Sequence, residues 1–209
     1  MELDKCIVGR KSIRSFKSND VDHKLIAECL NAARYAPSAG NSQNWKFIVI
    51  TDKSLRSQVV KLCDDNEWMV SAPVLIVVCS DLSKITKFYG SRGEALYSIQ
   101  GVAASIQNLL LKAHDLGLSS CWIGTFDEVE LSRILNIPGD ARPQAIICLG
   151  YSKLDEESIG REPLDNFVFY GSWGNRLDNS RSAFPLSKHI DHHLEKIKDK
   201  IHESFVKKK

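Results

Sequence analysis

An α+β fold is what the sequence predicts, and three observations predict it. Runs rich in β-branched and aromatic residues, "NWKFIVITD", "APVLIVVCSD" and "RPQAIICLGY", read as strands. Other stretches carry apolar residues at three- and four-residue spacing and read as helices. The two kinds mix without the strict strand–helix–strand repeat that a doubly wound parallel sheet needs.

The elements follow in order. Residues 2–9 read as a short helix leading into the basic stretch "GRKSIRSF". In "DVDHKLIAECLNAARYAP", Leu25, Ile26, Cys29, Leu30 and Ala33 fall at helical spacing, with Asp22 near the start and Pro37 after the end. The strand "NWKFIVITD" comes next, then a polar helix at about 53–66. "APVLIVVCSD" is a continuous apolar run, as in a strand buried on both faces. Residues 93–118 read as a long, central, buried helix that Gly117 ends. "SSCWIGTF" reads as a turn and short strand, and "DEVELSRILNIP" as a short helix with Asp127 and Glu130 in capping-box spacing. After the strand "RPQAIICLGY", "FVFYGSWGNR" has strand character at its start. A last helix spans 187–206, with Ile190, Leu194, Ile197, Ile201 and Phe205 on one stripe. The organisation is one main domain over 1–175 and an extension over 176–209 with this amphipathic helix.

Composition narrows the function. The chain has 209 residues, 43% hydrophobic and 26% charged, in the ordinary globular range. A net charge of +2 is too small to make nucleic acid or a membrane the main partner. No apolar run approaches the ~20 residues of a membrane span, and "MELDKCIVGR" has no signal-peptide core, which predicts a cytoplasmic chain. Cys6, Cys29, Cys63, Cys79, Cys121 and Cys148 are scattered singly, with no metal-site spacing. They read as buried, reduced thiols, and no metal site is expected.

Four stretches carry chemistry. In "RKSIR", Arg10, Ser12 and Arg14 share one side of an extended backbone, because side chains alternate with period two. Two guanidinium forks and a hydroxyl on one side suit a tetrahedral dianion, and equally describe a solvated basic turn. In "ARYAPSAGNSQNWKFIVITD", small and amide residues crowd the connection between a helix and a strand. They offer donors and acceptors without charge, which suits a neutral planar heteroaromatic ligand as well as a polar helix cap. "AHDLGLSSCWIG" ends a helix in a small-residue turn, with Gly124 allowing close backbone approach. "GREPLDNFVF" places Arg161 before a proline.

The combination and order of "RxSxR", "APSAGNSQNWKF", "KAHDLGLSSCWIG" and "GREPLD" resemble the nitroreductase family of FMN-dependent oxidoreductases, over roughly residues 1–173. The resemblance implies a central mixed, largely antiparallel sheet flanked by helices, in an intertwined homodimer with FMN in clefts at the interface. It implies that Arg10, Ser12 and Arg14 hold the FMN phosphate and ribityl end, with Lys11 contributing backbone or side chain and Arg161 joining at the phosphate. It implies that Pro37, Ser38, Asn41 and Gln43 meet the flavin from the opposite subunit. Ile123 and Gly124 would face the isoalloxazine ring, with the Gly124 backbone near N5. Two departures stand out: Ile159 replaces a lysine that many members carry two residues before the Arg161 position, and 176–209 matches no family feature. Asn66 is a weak further candidate for a flavin contact.

The function so implied is passage of hydride from NADH or NADPH through FMN to a small aromatic oxidant, such as a nitroaromatic or quinone. The flavin carries the redox chemistry, so no catalytic side chain is assigned. No GxGxxG follows a strand, so both substrates would share one cleft in a ping-pong mechanism. Alternatives are reductive dehalogenation or flavin fragmentation, with 81–95 as a lid. A flavin-binding protein without turnover, or a basic tail that recruits an acidic partner, is the reading from another class.

Overall fold

The apolar run Val74–Asp81 forms a central strand, β2, in the computed structural model, which describes residues 1–64, 66–154 and 160–176. The chain divides into two units, Met1–Glu157 and Ser158–Lys209. In the first unit β2 pairs with β1 (Trp45–Ile50) on one side and β4 (Ala141–Gly150) on the other, and β3 (Ser119–Ile123) pairs with β4. The order is β1-β2-β4-β3, every pair antiparallel. The two longest apolar runs take the two central places, where neither edge nor face meets water.

Period two divides the core between the faces. Val74, Ile76, Val78, Ala145, Ile147 and Leu149 point to one face, where α2 (His23–Ala33) and α5 (Ser98–Asp115) pack through Ile26, Cys29, Val102, Ile106 and Leu109. Leu75, Val77, Cys79, Ile146 and Cys148 point to the other, covered by α3 (Lys53–Val60) and α6 (Glu128–Ile134) through Val59, Val60 and Leu131. The register shifts between Val78 and Cys79: Val78 faces Ala145, but Cys79 faces Pro143. A proline has no N–H for the ladder, and a bulge is where a strand tolerates it. The displaced Gln144 donates from Nε2 to Ser80 Oγ at 3.0 Å.

Four readings need correction. The helix expected over 53–66 is regular only through Val60, and a separate 3₁₀ turn follows at Glu67–Ser71. The long helix at 93–118 opens with a wide turn at Gly93–Tyr97 and is regular from Ser98 to Asp115, with Gly117 at φ 76° beyond its end. The capping box of α6 is half made. Asp127 Oδ1 accepts from the N–H groups of Val129 and Glu130, but the Asp127 N–H donates to the Leu62 carbonyl at 2.9 Å. Glu130 therefore turns outward and pairs with Arg133 at 2.8 Å. The fourth correction lies in the second unit, where "FVFYG" forms no strand. Its backbone closes turns instead, Phe167 N–H to Leu164 O at 2.9 Å and Tyr170 N–H to Asn175 O at 2.8 Å. The helix expected over 187–206 lies outside the described residues.

Candidate functional site

The basic segment is placed by backbone pairing. α1 (Leu3–Gly9) ends at Arg10, whose φ of −63° and ψ of 125° turn the chain to extended. Ile13 N–H then donates to the Ser120 carbonyl at 3.0 Å, making a parallel bridge between Ser12 and Ser120 at the edge strand β3. It is the one parallel pairing among the described residues; the strands themselves are all antiparallel. Further on, Phe16 bridges Ser152, with Lys17 N–H on Tyr151 O at 2.8 Å and Lys153 N–H on Ser15 O at 3.0 Å. The alternation expected of this segment is visible: Ile13 and Phe16 are buried in the core, while Ser12 and Arg14 are exposed. Arg10 and Lys11, half-buried, line a cavity of about 380 Å³ beside the end of α5, and Ser12 and Arg14 are not part of that lining.

The neutral loop is held differently. Gly40, Asn41 and Gln43 all have left-handed backbone, at φ 55°, 54° and 47°. Two of the three are not glycine, and such residues persist only where the surroundings over-determine them, often at ligand sites. The surroundings here are explicit. Ser38 Oγ accepts from Gln43 N–H at 3.0 Å, and Gln43 Nε2 donates to Asn41 Oδ1 at 3.1 Å. Asn44 is buried, its Nδ2 donating to the Ser98 carbonyl at 3.2 Å. Ser38 and Asn44 rest on Gly101 of α5, where a Cβ would come 3.0 Å from Asn44 Oδ1 and 3.6 Å from Ser38 Cβ. Pro37, Asn41 and Gln43 are exposed. Asn44 Oδ1 and Ser42 Oγ are buried polar atoms without a hydrogen-bond partner.

Sequence reasoning did not find Tyr89. It lies in α4 (Leu82–Arg92), a helix spanning most of the stretch expected as a lid, and its hydroxyl packs onto Gly40. A lone tyrosine on a half-polar helix carries no local signal for this. Nor did sequence reasoning find Lys17, His114 and Lys153, which share the cavity with Arg10 and Lys11.

At the end of β3 the side chain of Ile123 is buried in the second core cluster, so contact from Ile123 to a ring would come from its backbone. Gly124 is exposed, and a Cβ there would meet nothing within 4 Å. Asn66 caps the Glu67–Ser71 turn, and its Oδ1 accepts from Trp68 Nε1 at 3.1 Å. Arg161 is an exposed residue of the second unit, and Ile159 lies outside the described residues.

Burial pushes the thiols of Cys29, Cys63 and Cys79 up to about 11, and all six cysteines are free and buried. Cys29, Cys63 and Cys79 are therefore core residues without thiolate character. Burial, then the Arg10 guanidinium, holds the His114 imidazole below its ordinary value; Asp115 opposes this and Lys11 adds to it. No helix of the described residues is long and apolar enough to cross a membrane.

The fold is an α+β protein whose antiparallel sheet carries a buried helix on one face, with a neutral loop of left-handed backbone near one end of that helix and a cationic segment at the other. Comparison with known proteins says which class. The model of the nitroreductase family matches residues 7–66 and 60–151, and the chain belongs to that family. A relative from Methanothermobacter thermautotrophicus named "Putative NADH dehydrogenase/NAD(P)H nitroreductase" is 34% identical over 72% of this chain and 78% of its own length. An iodotyrosine deiodinase of Thermotoga neapolitana is 26% identical over 68% of this chain and 84% of its own. Among solved structures, a nitroreductase family protein of Clostridium difficile superposes with a TM-score of 0.73 at 26% identity, covering 82% of this chain and 99% of that one.

Proposed function

We propose that the chain is an FMN-dependent oxidoreductase that works as a homodimer and takes reducing equivalents from NADH or NADPH. One observation carries this reading. The neutral loop rests at Gly101 near the start of α5, and Arg10 stands with His114 at its end. Thirteen residues of helix separate Gly101 from His114, about 20 Å at 1.5 Å per residue. The ribityl linker of one FMN would not bridge that span, which supports a flavin held between two chains rather than within one. Two copies related by a two-fold axis, with their α5 helices crossing antiparallel, bring the loop of one beside the cations of the other. The family membership and the name of the archaeal relative support the same reading.

The residues present fit the group. Arg10, Lys11, Ser12 and Arg14 would hold the phosphate and ribityl end by charge-assisted hydrogen bonds. Pro37, Ser38, Asn41 and Gln43 of the second copy would meet the ring with uncharged amides and hydroxyls, and the unpartnered Ser42 Oγ and Asn44 Oδ1 leave acceptors for the closing of the loop. The backbone of Ile123 and the open edge at Gly124 leave room along the ring. When bound there, FMN would supply the redox chemistry, hydride transfer between a nicotinamide and an acceptor. The chain's own part is to bind, to orient and to keep a planar slot open for two successive aromatic substrates. The acceptor class is a nitroaromatic, a quinone or a related compound. Reductive dehalogenation is the second reading, favoured by the relative named as a deiodinase.

The test is the visible spectrum of the purified chain, identification of the chromophore that acid releases, and steady-state kinetics with NADPH and a quinone. A flavin spectrum, FMN and not FAD in the supernatant, and parallel double-reciprocal lines are expected. A colourless protein that takes up no added FMN would end this reading.

A further inference from the structure

Asn44 is a polar residue in an apolar place, 1% exposed where the neutral loop enters β1. Its two groups hold different elements. The carbonyl accepts from the Asp81 N–H at 2.7 Å, and Asp81 caps α4, its Oδ1 accepting from the Ser83 N–H at 3.1 Å. The amide Nδ2 donates to the Ser98 carbonyl at the start of α5. Ser98 Oγ donates in turn to the Glu94 carbonyl at 2.6 Å, in the wide turn that opens the helix. Asn44 Oδ1 has no hydrogen-bond partner, and it fits only because Gly101 carries no side chain. A buried acceptor left unpaired costs stability, so packing alone does not account for an amide here.

α4 meets the loop at its far end as well. Gly90, at φ 55° and ψ −146°, breaks the helix directly after Tyr89, whose hydroxyl lies on Gly40. The Tyr89 ring meets the Tyr97 ring edge-on, with centroids 5.2 Å apart. The contacts form a closed circuit, from Gly40 through Asn44 and Asp81, along α4 to Tyr89, and back to Gly40. We propose that Asn44 is a positioning residue that fixes the neutral loop and α4 to α5 as one unit. Without the amide the loop keeps its own bonds, Ser38 to Gln43 and Gln43 to Asn41, and loses its seat on α5. α4 then loosens with it, because its cap is bonded to the same residue. The consequence for activity rests on the flavin reading. There the loop would meet the ring and α4 would stand beside the slot, so Asn44 would act on acceptor binding through both.

The experiment is amide hydrogen exchange by mass spectrometry on the full chain as purified, wild type against Asn44→Ala. Exchange should quicken by about fivefold or more in 38–43 and 82–92 together, the size of one lost hydrogen bond, and stay within about twofold in β4. Gly101→Ala favours the helix but crowds Asn44 Oδ1, where a Cβ would come within 3.0 Å. It reaches the same tie from α5, should loosen the same two segments, and decides the matter if Asn44→Ala does not fold. Quickening confined to 38–43, or spread equally into β4, overturns the proposal. Kinetics separate positioning from mere support. In the FMN-loaded chain, Asn44→Ala should raise the quinone KM about fivefold or more with kcat within about twofold. A kcat that falls with the folded fraction at unchanged KM overturns the positioning role. If the chain takes up no FMN and the two segments still loosen together, Asn44 keeps its role and the flavin reading falls. If FMN binds and the segments respond separately, the flavin reading stands and this proposal falls.

Discussion

Arg10 and Ser38 lie at opposite ends of α5, about 20 Å apart along its axis, Ser38 against Gly101 and Arg10 in one cavity with His114. Only 28 positions separate them in sequence, and the proposed site takes them from different copies. A site completed between two copies has a sharp consequence. Arg14→Glu damages one half-site, and Ser38→Glu with Gln43→Glu damages the other, so each homodimer carries two damaged sites. A mixed dimer collects both lesions in one site and leaves the other intact. Co-expression with different tags and double purification should recover about one FMN per heterodimer, along with quinone reduction. A heterodimer that forms cleanly and stays colourless would place both half-sites in one chain.

Gly40 should resist substitution. An alanine there takes a left-handed conformation at φ 55° and sets its Cβ 2.5 Å from Tyr89 Oη. The backbone strain costs about 1–2 kcal/mol, equivalent to a fall of roughly 2–8 °C in Tm for a chain of this size. Tyr89→Phe removes the hydroxyl and relieves only the steric part. In a double-mutant cycle by denaturant unfolding, Gly40→Ala should therefore cost less in the Tyr89→Phe background. Equal costs in both backgrounds would mean that Tyr89 does not fix the loop.

The half-made capping box separates two acidic residues that look alike in sequence. Asp127→Ala removes an acceptor for two N–H groups at the start of α6 and should cost about 1 kcal/mol. Glu130→Ala removes an exposed pair with Arg133 and should cost no more than a few tenths. Equal losses in thermal unfolding would show that Glu130 reaches back to the cap in solution.

His114 sets a pH dependence of stability in the flavin-free, phosphate-free chain. Its folded value is held below the ordinary 6.5, by burial first and then by Arg10. The folded state thus binds the proton less readily than the unfolded state. The stability concerned is present above about pH 6.5 and is lost as pH falls through the lowered folded value. The difference between wild type and His114→Gln in urea unfolding isolates this contribution from the other histidines. It should vanish when both are compared only at higher pH. A His114→Gln profile parallel to wild type from pH 8 downward would contradict the assignment.

Much of this was legible in the chain itself. The identity of the strands came from runs such as Val74–Asp81, and that of the helices from three- and four-residue spacing, because both periods are set by neighbours a few residues away. The alternation of Ser12, Ile13 and Arg14 is likewise a local property, and the structure keeps it. The motif order of "RxSxR", "APSAGNSQNWKF" and "KAHDLGLSSCWIG" carried the family.

Other features only the tertiary structure decided. Asn41 and Gln43 take left-handed backbone in a loop whose local bonds, Ser38 to Gln43 and Gln43 to Asn41, are seated on Gly101 of α5, about 60 residues away, and the letters "AGNSQN" do not announce that seat. Glu130 turns away from its cap because the Asp127 N–H finds Leu62, a residue 65 positions earlier. The side chain of Ile123 enters the core, since the pairing of β3 with β4 puts it on the face that α6 covers. His114, Lys17 and Lys153 gather with Arg10 through pairings between segments more than 100 residues apart. Local patterns fix what each segment becomes. Which segments meet depends on long-range pairing and packing, whose free energy belongs to the folded whole and leaves no periodic mark in the sequence.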